Sequence, residues 1–469
     1  MRKTHATAFA LAGVLAGALP ACGLDVGDLN NPSIDDLQNH PTVVTIGAAS
    51  TGLLVGNRRN HAAENGYVAL LGILGREAYN FDGADPRYVS EMLVNKLNSG
   101  SPFGGNFWAQ PYSNLRLASI VLEAVDKVDL LSAADKSAIR GFTKTIEALD
   151  LLEVVATHDS NGVVIDLDPD PLAPPTPLVG VTETYSRIVS LLDDGVTDLT
   201  AGGGSFPFAL SKGFAGFDTP ATFIKFNRAI RARVAAYQAD YPAVLTALTT
   251  SFIDDTSANI DMNVGVYYAY STKPGDTANQ LINPNIYVHP SIEADAEKDG
   301  AGLVDARFTR KTATAATPGS RGATLNFRAL YPNPEASVAL IRNEELILLK
   351  AEALFKTGGT GVAAAVAELN IVRTISGRLP ALTNVTPTEP EFITELLYER
   401  KYSLLFEGHR WIDVRRLNQL ETLPIFVTTK GDGTMTPDTL NVRFPLPLAE
   451  CDARPGEPDC LLGSTNPTP

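Results

Sequence analysis

Glu399, Arg400, Lys401, Glu407, Arg410, Asp413, Arg415 and Arg416 stand within YERKYSLLFEGHRWIDVRR, Tyr398 to Arg416, of a 469-residue chain that is only 19% charged. Both signs at this density offer three kinds of chemistry: a carboxylate pair for acid and base catalysis, a cationic patch for an anion, or ion pairs that hold a frame together. A helical wheel favours the last. Ile393, Leu397 and Leu404 fall on one face, and Arg400 and Glu407 fall close to it. A charge on an apolar stripe needs a partner, because burying it unpaired is strongly destabilising. Arg400 and Glu407 are therefore expected to meet counter-charges from neighbouring helices, with Glu407 to Arg410 as a local pairing at i, i+3. Gly408 would bend the chain, and Trp411 and Ile412 would pack inward.

No rival catalytic set is visible. His5, His40, His61, His158, His289 and His409 are scattered and form no His-Glu-x-x-His pair for zinc. Gly202, Gly203 and Gly204 are not followed by a P-loop lysine, and no Gly-x-Ser-x-Gly elbow occurs. Acids are numerous, yet none marks the two facing carboxylates of a glycosidase. Asp166, Asp168 and Asp170 alternate, but Pro169 and Pro171 interrupt them, and the glycine and closing glutamate of an EF-hand are missing. That stretch reads as a solvated loop. No enzyme, cofactor or metal is expected.

The elements that must position the charged stretch are helical. From about Thr42 onward apolar residues recur at helical spacing. Helices are expected over 107–127, 132–157 with Ser132 as N-cap, and 182–200 opened by Thr182. Residues 220–238 and 242–253 form a pair joined by a turn at Ala239–Tyr241. Residues 343–357 and 361–376 form a second pair, joined by Gly358 and Gly359, and Thr388 opens a last helix with a capping box. Pairs with short turns suggest tetratricopeptide-like packing, although the 34-residue period is not kept cleanly. The expected class is mainly all-α: helix pairs in a right-handed scaffold, with long irregular loops and few short strands. Loops cover 159–180, 201–219 and, at greatest length, 255–335.

The N-terminus carries a different signal. Arg2, Lys3 and His5 precede the apolar run AFALAGVLAGALPA, which is shorter than the roughly 20 residues of a membrane span. It ends in Leu19-Pro20-Ala21-Cys22, followed by Gly23, which resembles a bacterial lipobox. Residues 1–21 are then a signal peptide, Cys22 carries the acyl chains, 22–41 is a tether, and 42–469 is one domain with an insert at 255–335. The net charge of −15 disfavours nucleic acid, whose binding needs a basic footprint. With Cys22 acylated, Cys451 and Cys460 remain, bracketing a polar loop. They form either a disulfide or two free thiols.

Four stretches resemble motifs of the SusD/RagB family of outer-membrane lipoproteins, in the family's order. They are RNEELILLKAEAL at 342–354, LNIVRTISG at 369–377, YERKYSLLFEGHRWIDVRR at 398–416 and RFPLPLAE at 443–450. FWAQPYSNL at 107–115 and the 220–253 helix pair are also similar. The resemblance implies a cell-surface lipoprotein that binds a nutrient oligomer, most often a glycan, and passes it to a SusC-like TonB-dependent transporter without catalysis. A helical-repeat lipoprotein taking peptide or protein ligands is the alternative. The family's binding loops vary, so the ligand does not carry over. Because sugar rings stack on flat aromatic faces, the expected contacts are loop aromatics: Trp108, then Tyr79, Phe81 and Tyr88 around NFDGADPRY, and Tyr267, Tyr268, Tyr270 and Tyr287 in the insert. Asp82, Asp85 and Arg87 would hydrogen-bond hydroxyls.

Overall fold

Helices begin where short polar side chains can take up the unpaired N–H groups of a first turn. Ser33 caps α1 (Ile34–Asn39) and Thr42 caps α2 (Val43–Arg58), each through a capping box. After α3 (Tyr67–Leu74), the single turn α4 (Arg87–Val89) and α5 (Ala109–Ala124), Ser132 caps α6 (Ala133–His158). There the Ser132 hydroxyl accepts from the Asp135 N–H at 3.1 Å, and the Asp135 carboxylate accepts from the Ser132 N–H at 3.2 Å. The computed structural model describes residues 33–167, 173–321, 323–429 and 435–456. Cys22, Asp168, Asp170 and Cys460 lie outside the described residues; Cys451 is half-buried and disulfide-bonded.

The chain continues with α7 (Val181–Thr200), α8 (Pro220–Tyr237) and α9 (Tyr241–Leu248), then α10 (Pro290–Ala294) and α11 (Ala306–Lys311) within the insert. The C-terminal third supplies α12 (Asn343–Thr357), α13 (Gly361–Val372), α14 (Glu389–Ser403), α15 (Arg410–Arg416) and α16 (Leu448–Ala453). Helices α6 with α7, α8 with α9, and α12 with α13 pack against each other as the short turns require, and α9 leans on α12 to join the pairs. This is the mainly helical, tetratricopeptide-like scaffold expected. Several boundaries differ, among them α9, which ends at Leu248 and not at 253. The stretch taken as tether already contains α1, because Leu37 is buried there. Helix α7 starts at Val181, behind Gly180. Helix α13 passes into a π-turn, Arg373–Gly377, closed by Arg378 in the left-handed region at φ 56°.

The insert is more regular than its composition suggests. β1 (Ala78–Asn80), β3 (Ile286–Val288), β5 (Ala323–Ala329) and β4 (Thr312–Arg321) form one sheet in the order β1-β3-β5-β4, while β2 (Gly265–Tyr268) pairs with β6 (Val338–Arg342). β7 (Val427–Thr429) and β8 (Met435–Pro437) make a separate ribbon. The alternation Thr312-Ala-Thr-Ala on β4 suits a pleated strand, and the hairpin β4–β5 pairs through β5 with β3, which in turn pairs with β1.

The charged C-terminal stretch does bind the frame together. Arg342, 3% exposed, donates to Glu407 at 3.0 and 3.1 Å, to Glu344, and to the Ser403 carbonyl. The Lys311 ammonium donates to Glu407 at 2.5 Å and to the carbonyls of Ser403 and Leu405. Arg400 pairs with Asp413 at 2.7 Å, and Arg416 joins Asp413 to Glu352. The local pairing of Glu407 with Arg410 does not form. Helix α14 ends at Ser403, and Phe406 and Gly408 both take positive φ, so residues 407 and 410 share no helix turn. Arg410 donates instead to the Gly75 carbonyl at 3.1 Å. Gly408 is required on packing grounds too, since a Cβ there would come within 2.7 Å of the Tyr67 ring.

Burial by itself would raise the Glu344 carboxyl, but Arg342 and the Ser403 hydroxyl outweigh it and hold the pKa at about 2. A carboxylate depressed in the folded state contributes stability that is complete above its unfolded pKa and lost as pH falls. The contribution of Glu344 is therefore full above pH about 4.5 and disappears toward pH 2. Arg342→Met leaves Glu344 without its counter-charge and Glu407 with Lys311 alone, and should cost about 3–5 kcal/mol at pH 7 in urea unfolding, with the loss shrinking as the carboxylates protonate. A loss below about 1 kcal/mol would show that the network carries no stability.

Candidate functional site

The sheet gathers aromatic rings from two distant segments. In the β1–β3 register Tyr79 stands opposite Tyr287, and in β3–β5 Tyr287 stands opposite Arg328. Phe81, just beyond β1, lies on the same face as Tyr79, because side chains alternate along an extended strand. The result is a ladder running outward from the core. Phe426 meets His289 at 5.2 Å between ring centroids, His289 meets Tyr79 at 4.9 Å, Tyr79 stacks on Phe81 at 5.4 Å, and Phe81 meets Tyr287 at 5.7 Å. Tyr79 is fully buried, whereas Phe81 and Tyr287 are half-buried. The Tyr287 hydroxyl donates to the Thr317 carbonyl at 3.0 Å, and the ring rests over Gly319, where a Cβ would stand only 3.2 Å from it. Both outer rings are thus held rigidly with part of their surface open.

Polar groups border them. Asp82 accepts from the Ala84 N–H at 2.9 Å, which shapes the loop, and it has no cationic partner among the described residues. Asp85 and Arg87 neutralise each other through two bonds of 2.7 Å, and the Arg87 hydrogen bonds lower the Asp85 pKa. The Arg87 guanidinium also lies 5.4 Å from the Phe103 ring centroid. These two side chains brace the loop, so hydrogen bonds to a ligand would fall to Asp82. Arg328 was not legible as a site residue. Pairing with β3 places it beside Tyr287, half-buried and without an ion-pair partner among the described residues. The alternation of TLNFRA would have marked the strand but not its neighbour.

Five of the aromatic candidates are core residues instead. Trp108 is 4% exposed and packs on Tyr112 and His158. Tyr88 is buried against Phe103. Tyr268 donates to Asn57 at 2.8 Å beside His61, and Tyr270 lies beneath the Arg58 guanidinium. With Tyr79, these rings are buried. On β2 the strand alternation separates Tyr268, turned inward, from Tyr267, which is half-buried. Tyr267 lines a cleft of about 450 Å³ between β2, β6, α11, the π-turn and residues 403–407, away from the ladder. Among the described residues no helix is long and apolar enough to cross a membrane, and no group of His, Cys, Asp and Glu could hold a metal ion.

Comparison with known proteins agrees with this architecture. Residues 332–450 match the family model described as the SusD family. No curated protein sequence matches the chain. The fold is similar to that of a SusD superfamily protein from Bacteroides vulgatus, with TM-score 0.65 and 15% identity over 88% of this chain and 97% of that one. It is also similar to a SusD-like carbohydrate binding protein from Bacteroides fragilis, with TM-score 0.67 and 14% identity over 87% and 98%. A laminarin binding SusD-like protein gives TM-score 0.63 and 16% identity over 87% and 97%. At such identities the likeness to these structures is one of fold.

The ladder separates core from surface within one stack. Tyr79→Ala should cost about 3–5 kcal/mol in urea unfolding, and Phe81→Ala less than half of that. Equal losses would mean that Phe81 is a core residue and not part of an open face.

Proposed function

We propose that the chain is a SusD/RagB-type, non-catalytic binding protein for an oligosaccharide, a reading supported by the match of residues 332–450 to the SusD family model and by the shared fold. The observation that carries this reading is the pair of half-buried rings, Phe81 and Tyr287, fixed beside each other by sheet pairing, with Arg328 opposite Tyr287 and Asp82 following Phe81 in the chain. A pyranose presents an apolar face that can lie on such rings. Its hydroxyls can donate to a carboxylate and accept from a guanidinium. The same fold serves a laminarin binding SusD-like protein and a SusD-like carbohydrate binding protein.

The cellular role follows from the N-terminus and the family. The run ending in Leu19-Pro20-Ala21-Cys22 supports a lipid anchor at Cys22 on the outer membrane. On this reading the folded body is displayed at the surface and passes its ligand to a SusC-like TonB-dependent transporter. A ring stack rather than a deep pocket suits that task, since a chain captured on an open face can be handed on from its ends.

Calorimetric titration of the protein with a panel of soluble glycans, including laminarin, should find at least one ligand. Tyr287→Ala should weaken its binding about tenfold or more, equivalent to about 1.4 kcal/mol. A panel without any ligand, alongside binding of oligopeptides, would replace the glycan reading with the peptide one. Copurification with a transporter from gently solubilised outer membranes tests the delivery role; its absence under conditions that preserve such complexes would remove that role.

A further inference from the structure

The cleft beside Tyr267 is separate from the ring ladder, and its charges are unevenly spent. Its back wall is the ion-pair network. Arg342, Lys311, Glu344 and Glu407 satisfy one another and the carbonyls behind them, so they have little left to offer a ligand. Arg307, also in the wall, is committed to Asp305 and Glu399. Arg310 differs. It is exposed, and its one hydrogen bond runs from Nη1 to the Ser376 carbonyl at 2.8 Å. No carboxylate pairs with it among the described residues, which leaves Nε and Nη2 without a protein acceptor.

The surroundings sharpen the contrast. Arg378, exposed and likewise without an ion-pair partner among the described residues, acts on Arg310 as a like charge. The acids that act on Arg310, Glu344 and Asp305, are already paired to Arg342 and Arg307. The remaining acid of the lining, Asp261, accepts from the Asn263 N–H at 2.8 Å near Tyr267 and is not among the charges acting on Arg310. One end of the cleft therefore carries uncompensated positive charge. Another part of its wall presents the half-buried ring of Tyr267, whose hydroxyl donates to the Asn263 carbonyl at 2.5 Å. A volume of about 450 Å³ is in the range of small-ligand sites.

We propose that this cleft is a subsite for an acidic sugar, in which Arg310 binds the carboxylate or sulfate through Nε and Nη2 while the sugar ring lies against Tyr267. A guanidinium fixed by one bond to a carbonyl keeps a planar pair of donors suited to two oxygens of one anionic group. The inference rests on the glycan-binding reading and adds to it a preference for anionic over neutral chains.

The test uses two matched pairs of ligands: laminarin with its sulfate ester, and oligogalacturonate with its methyl ester. Each is titrated into the full-length protein in detergent micelles at low salt. At least one acidic form should bind about tenfold more tightly than its neutral partner. Arg310→Gln should abolish that preference without lowering the melting temperature, because the side chain is exposed. Arg310→Lys should keep part of it, while Tyr287→Ala should weaken both members of a pair and leave their ratio. Equal binding of the acidic and neutral forms in both pairs overturns the subsite while leaving glycan binding intact. A preference that survives Arg310→Gln also overturns it, by placing the anion elsewhere. Failure of every glycan, neutral or acidic, overturns the glycan-binding reading and the subsite with it.

Discussion

A guanidinium buried in the middle of a protein has to be surrounded by acceptors, and Arg342 sets that requirement for the whole C-terminal half. It sits at the end of β6, where the chain turns directly into α12, and its partners come from three other places. Glu344 belongs to α12, the Ser403 carbonyl to the end of α14, and Glu407 to the turn between α14 and α15. Lys311, from α11, completes the coordination of Glu407. Three stretches distant in sequence, at Lys311, at Arg342–Glu344 and at Ser403–Glu407, are thus fixed to one another by charge-assisted bonds. Replacing such a set with apolar residues can be neutral for stability. Whatever it adds to stability, its contribution is also geometric: it fixes where the insert rejoins the helices.

Both proposed binding surfaces hang on that arrangement. The insert leaves the scaffold after α9, runs through β2 and β3, and returns through α11 and the β4–β5 hairpin to β6. Lys311 ends α11 immediately before β4, so the residue that closes the ion network also sets the start of the hairpin. The hairpin presents Gly319 and Thr317 to Tyr287, and β3 carries Tyr287 to Phe81. The cleft is lined by Arg307, Arg310 and Lys311 of α11, with the network as its back wall. Loops that carry a ligand need a rigid base, and here the base is electrostatic as much as apolar.

Much of the frame could be read from residues alone. Ser132 and Thr388 announced their helices, because a cap is a local device whose partners lie three residues away. That Arg400 and Glu407 needed internal partners was legible from their place on the apolar stripe. Which partners was not, since Asp413, Arg342 and Lys311 are chosen by tertiary packing. The expected Glu407–Arg410 contact assumed a continuous helix, and the positive φ at Phe406 and Gly408 removes it. The site was harder to read. Tyrosines in a loop-rich stretch look alike in composition. Only the strand alternation of β2, which turns Tyr268 inward and leaves Tyr267 half-buried, and the pairing of β1 with β3 sort core from surface. Arg328 and Arg310 carry no sequence signal at all, because what distinguishes them is the absence of a paired carboxylate among the described residues in three dimensions.

The claim that a glycan lies across the sheet platform is tested most directly by amide hydrogen exchange on the protein with and without a bound oligosaccharide from the panel. The account predicts slowed exchange in the loop 81–88, in β3 and in β5, with the α6–α7 and α12–α13 pairs unchanged. Protection confined to the 201–219 loop or to the start of α5 around Trp108, with the platform unaffected, would contradict it.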